Sequence, residues 1–162
     1  MRKFGAFMAS VTIAACGLAA AAHAESAVNV TLIDKGDALD LSKPMGLGMA
    51  MHGDMSEAPM GININPKVVP HGYVKFKVTN LASALVHEVI IARVKDENTP
   101  LPFLAGKNML DEEAVRTLGQ VSEINPSRSA SLTIEMTPGK YVLYCNLPGH
   151  YMAGMWTVIE VK

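Results

Sequence analysis

From Gly72 to Asn80 the chain alternates, with Val74, Phe76 and Val78 on one side and Lys75 and Lys77 on the other. A period of two marks an extended strand that buries one face and wets the other. The same period recurs in Val28 to Ile33, in Ile62 and Ile64 and in Ser131 to Met136, and the last strand runs from about Trp156 to Val161. Val86 to Ala92 is a shorter apolar run, and Tyr141 to Tyr144 follows a Pro138-Gly139 turn. Short strands separated by Gly, Pro and Asn predict an all-β sandwich or barrel. One segment departs from the pattern: the acidic start and the Ala114, Val115, Leu118 spacing predict a short helix over Asp111 to Leu118. There is no tandem repeat and no linker long enough to divide the chain, so residues 25–162 read as a single domain.

Residues 1–24 stand apart from that domain. Arg2 and Lys3 precede an uncharged stretch from Phe4 to Ala22, and Ala22-His23-Ala24 is a small-residue cleavage site. This is the pattern of a secretory signal peptide, which predicts a periplasmic protein without a membrane span in the mature chain. Cys16, preceded by Ile13-Ala14-Ala15, offers a lipid-anchored alternative, but the apolar stretch runs on beyond it. Cleavage after Ala24 is the preferred reading.

The full chain has 162 residues, a formal net charge of −1 and 6% aromatic residues. Removing the leader takes Arg2 and Lys3 from the basic total and nothing from the acidic one, so the mature chain is more acidic. That charge excludes the basic surface on which nucleic-acid binding depends, and the length excludes a large multidomain enzyme.

Cleavage also removes Cys16, leaving Cys145 as the lone cysteine. An exported protein with one cysteine has no internal disulfide to make, and an unprotected thiol is a liability in an oxidising compartment. A metal ligand is therefore the first reading to test. Cys145, His150 and Met155 follow one another at intervals of five, in a segment that Pro148, Gly149 and Gly154 can fold into a compact loop. A thiolate, an imidazole and a thioether together form a soft donor set, and two imidazoles, one thiolate and a weak axial thioether suit copper in both oxidation states. His87, on an apolar strand 58 residues before the cysteine, is the candidate for the second imidazole. His71, beside Pro70 and Gly72, reads as a turn residue, and Met152 is a weaker axial candidate than Met155 because it lies two residues from His150.

These residues resemble the cupredoxins across the whole mature chain. Gly72 to Asn80 looks like the family's strand ending in Thr-Asn, His87 follows, and Pro138-Gly139-Lys140-Tyr141 leads into the strand that ends at Cys145. The resemblance implies a Greek-key β-sandwich with one short helix, and one type 1 copper held by His87, Cys145, His150 and Met155. It also sets limits. Position 149 is Gly, so the second loop cysteine of a binuclear copper site is missing, and Tyr144 and Asn146 flank the cysteine where copper oxidases carry a histidine. An enzyme is therefore not expected. Many electron-transfer members have Asn after the first ligand, where this chain has Glu88.

A Met/His-rich insert at about residues 44–61 distinguishes the chain from a plain electron carrier. Met45, Met49, Met51, His52, Met55 and Met60 are interleaved with glycines and prolines. Thioethers in an exposed, irregular loop would form a soft secondary Cu(I) site. The expected function is copper handling and tolerance, as in periplasmic copper-tolerance cupredoxins. The alternative is a soluble electron carrier that meets a redox or copper-trafficking protein near His150.

Overall fold

The computed structural model describes residues 25–36 and 39–162. The leader, its cleavage site and Cys16 lie outside the described residues. In chain order the strands are β1 (Ser26–Asp34), β2 (Met60–Asn65), β3 (Val68–Val69), β4 (Gly72–Asn80), β5 (His87–Val94), β6 (Phe103–Leu104) and β7 (Met109–Leu110). A single helical turn α1 (Glu112–Val115) follows, then β8 (Thr117–Ile124), β9 (Ser129–Met136), β10 (Gly139–Tyr144) and β11 (Trp156–Val161).

Two sheets pack face to face. One has the order β2-β1-β4-β9, and the other β3-β11-β10-β5-β8. Parallel β1–β4 pairing sits beside antiparallel β1–β2 and β4–β9 ladders, so consecutive strands are exchanged between the sheets in Greek-key fashion. Val28, Val30 and Leu32 of β1 and Val74, Phe76 and Val78 of β4 face Val89 and Ile91 of β5, Tyr141 and Leu143 of β10, and Ile159 of β11. In β1 and β4 these are the alternate positions that the sequence period picks out. Full burial of each large side chain contributes on the order of 1.5–3 kcal/mol.

The five-stranded sheet is covered on its other face as well. Ile90, Ala92, Val142 and Tyr144 pack there against Met49, Leu110, Val115, Tyr151 and Met152. Strands buried on both faces lose the alternation and read as continuous apolar runs, which is why Val86 to Ala92 has no polar face. No described helix is long and apolar enough to cross a membrane.

The expected helix is shorter than its sequence pattern. Asp111 caps it by accepting from the Ala114 N–H, but Arg116 adopts φ 57° and ends it after Val115. Leu118, assigned to the helix by its spacing, instead lies exposed on β8, an edge strand that pairs with β5 through two register shifts. Capping starts the helix here, and strand pairing stops it.

Candidate metal centre

Two strand ends and one loop build the site. β4 closes on Asn80, whose buried amide donates to the carbonyls of Leu85 and Ile124 and whose Oδ1 accepts from the Ala82 N–H. These bonds satisfy a group that would be costly to bury alone, and they fix the turn that delivers His87 to the head of β5. On the neighbouring strand Tyr141, Leu143 and Cys145 alternate inward, so Cys145 arrives at the same end of the inter-sheet core.

The loop after Cys145 returns on itself. His150 N–H donates to Leu147 O, Met155 N–H to His150 O, and Cys145 N–H to Met155 O, at 3.0–3.1 Å. Gly149 (φ +85°) and Gly154 (φ +96°) occupy the left-handed conformations that the tight return needs. Neighbouring segments hold the loop from outside. Glu88 accepts from the Asn146 N–H at 3.0 Å, while the Asn146 side chain spans Leu110 and Glu112. Glu88 thus fills the position after His87 with a carboxylate that pins the backbone beside Cys145. Burial raises its carboxyl above the usual range.

The result is a buried cluster of His87, Cys145 and His150 whose donor atoms all lie within 4.8 Å of one another. His87 Nδ1 is 3.2 Å from His150 Nδ1, and Cys145 Sγ is 3.4 Å from the same His150 atom. The two imidazoles meet edge to face. The opposite ring nitrogen of His87, Nε2, lies 3.0 Å from Asp34 Oδ2. Met155 is fully buried in the same inter-sheet core as Cys145, whereas Met152 belongs to the core on the far face of the sheet. His71 sits at the other end of β4, against the Lys162 carbonyl.

Burial dominates the electrostatics. It pushes the Cys145 thiol up to about 12, opposed by hydrogen bonds from the backbone of Glu88 and Leu147. It lowers His150 to about 4, with the nearby His87 charge adding to the effect. His87 is lowered by burial in spite of the Asp34 carboxylate. Both imidazoles are therefore neutral at pH 7, which is their ligand form. Two neutral imidazoles and a sulfur facing one another in a buried pocket fit a soft or borderline cation, and a cation is what would stabilise the thiolate there.

The methionine-rich segment behaves differently from its sequence expectation. Met49 is fully buried and Met60 is 3% exposed, and they belong to the two cores on opposite faces of the five-stranded sheet. Met51 packs against the outer core, and only Met45 (46%), Met55 (44%) and His52 face solvent. The six donors do not form one exposed cluster. The glycines and prolines break regular structure, yet the segment still has a surface to pack on, which spacing alone does not reveal. Leu47 N–H donates to Met152 O, Met49 N–H to the Tyr151 hydroxyl, and Trp156 Nε1–H to Leu47 O. The segment lies across the Cys145–Met155 loop, and His150 is left only 6% exposed.

No protein-family model matches the sequence, and no curated protein matches it. Solved structures do. Rusticyanin from Thiobacillus ferrooxidans is 16% identical, with 85% of this chain covering 77% of that one at a TM-score of 0.56. Another structure of the copper protein rusticyanin is 20% identical, with 85% and 78% covered and a TM-score of 0.55. Auracyanin B is 17% identical, with 85% and 88% covered and a TM-score of 0.50. The chain has the cupredoxin fold that these proteins share.

Proposed function

We propose that this protein binds a single type 1 copper through His87, Cys145, His150 and Met155 and passes single electrons through it. The observation that carries the reading is the convergence of two neutral imidazoles and one thiol in a buried pocket. Burial of Met155 on the Cys145 side of the sheet supports it as the residue that would supply a thioether ligand. When bound, the copper would supply a one-electron couple and a thiolate charge-transfer band. The chain's own part is to hold the donors in place and keep water from them, through the Asn80 turn, the Glu88–Asn146 bond and the cover of residues 47–49. Leu147 and Pro148, which border His150 along the loop, offer a docking edge for a redox or copper-trafficking partner. The leader pattern supports a periplasmic site of action.

The Cys145→Ser protein tests the reading. It should stay folded and lose the visible band of the copper-loaded protein, because the thiolate is the charge-transfer donor. Retained colour would overturn the ligand assignment.

A second reading, copper handling and tolerance, is favoured by the exposed Met45, His52 and Met55, of which Met55 reaches Gly154 in the loop after Cys145. Under it, the protein takes up Cu(I) beyond one equivalent, and replacing both methionines with Leu and His52 with Gln removes the excess. If copper uptake and cellular tolerance are unchanged in that variant, electron transfer stands alone.

A further inference from the structure

We propose that Asp34 is a positioning residue for the metal centre: its carboxylate accepts the His87 Nε2–H, fixes the tautomer that leaves Nδ1 free to bind copper, and sets negative charge behind that ligand. The inference rests on the copper reading above, and it concerns a residue 53 positions away from His87 in sequence.

Both side chains are fully buried, and Asp34 Oδ2 lies 3.0 Å from His87 Nε2. The other carboxylate oxygen, Oδ1, accepts from the Gly36 N–H at 2.9 Å. The carboxylate is thus held at both oxygens, at the point where β1 ends and pairs Asp34 with Met60. Taking a carboxylate out of water costs several kcal/mol unless its surroundings compensate. A neutral imidazole N–H is weak compensation. The same imidazole bound to a cation at its other nitrogen is a far better donor. The placement therefore makes sense for a ligand and is wasteful for an ordinary core histidine. The geometry agrees at the other end of the ring, where Nδ1, not Nε2, is turned toward His150 Nδ1 and shares its pocket with Cys145 Sγ. Carboxylates that hydrogen-bond ligand histidines fix ring orientation and raise ligand basicity.

The test has two arms. In metal-free wild-type protein, imidazole 15N NMR should find His87 protonated at Nε2 and unprotonated at Nδ1. In copper-loaded protein, Asp34→Asn keeps an oxygen acceptor and removes the charge. Its Cu(II) affinity should fall about 10- to 100-fold, and its Cu(I) affinity less, since the lower charge gains less from the carboxylate. A tenfold change in the affinity ratio is a rise of about 59 mV in reduction potential. Wild-type His87 protonated at Nδ1, or an Asp34→Asn potential and spectrum equal to wild type, would overturn the proposal. A wild-type protein without a copper–thiolate band would instead sink the copper reading, and the tautomer would still decide what Asp34 does. Should the variant fail to fold, the wild-type tautomer is decisive by itself.

Discussion

His150 carries the clearest consequence at the residue scale. Its ordinary value of 6.5 falls to about 4 in the native protein, first through burial and then through His87. Between those values an unfolded chain takes up a proton that the native chain refuses, so native stability is present at pH 7 and is lost as pH falls from about 6.5 towards 4. The loss is about 3 kcal/mol, and His87 acts in the same direction. Urea midpoints of the metal-free protein, followed from pH 7 to pH 4, should decline accordingly; flat midpoints would mean that the pair is less buried in solution. The methionines divide as sharply. Met49→Ala or Met60→Ala opens a cavity in a packed core and should cost about 2–5 kcal/mol. Met45→Ala and Met55→Ala should stay within about 0.5 kcal/mol. Equal costs across the four would contradict the burial pattern.

At the scale of elements, the cover over the Cys145–Met155 loop depends on a small residue, Gly48. A Cβ on Gly48 would lie 2.7 Å from the Tyr151 ring and 3.1 Å from Met152 Sδ. Gly48→Ala should therefore push the ring aside, break the Met49 N–H to Tyr151 hydroxyl bond, and cost about 1–3 kcal/mol. Chemical-shift changes at His150 together with a lowered midpoint would report it. Legibility in the sequence follows the same physical lines. β1, β2, β4 and β9 alternate because one face of each meets the inter-sheet core, so a period of two exposes them. β8 does not: Gly119 interrupts it, and its bulged pairing with β5 shifts the faces midway. β3, β6 and β7 have two residues each, too few to show any period. Within the site, Cys145, His150 and Met155 are legible because one loop holds them at short spacing. Asp34, Asn80, Glu88 and Asn146 are not, since each works across a contact that only the fold creates. Asp34 followed two residues later by Gly36 looks like any Asp-led turn, and the Glu88–Asn146 bond spans 58 residues.

For the whole molecule, His87 and Cys145 leave neighbouring strands of one sheet, with Tyr144 opposite Ile90 in the last rungs between them. These two donors are thus spaced by a backbone ladder, and the loop that carries His150 is tied back by the bonds from Met155 to His150 and from Cys145 to Met155. Metal binding should accordingly stabilise the native state without remodelling it. Free copper at about 100 times the dissociation constant should add about 2.7 kcal/mol, visible as a denaturation midpoint that rises with copper concentration. Far-ultraviolet circular dichroism should not change. A large change in backbone signal on loading would mean that the pocket is not preformed.

The division of methionines between solvent and core also makes the protein its own record of oxidative exposure. Thioethers become sulfoxides where peroxide can reach them. Met45 and Met55 stand in its path, whereas Met49, Met60 and Met155 are reached only when the structure opens. Peptide mapping after a timed peroxide pulse would then read two clocks from one chain. A fast one at Met45 and Met55 would count encounters with the oxidant. A slow one at Met155 would count the openings that lay bare the core around Cys145.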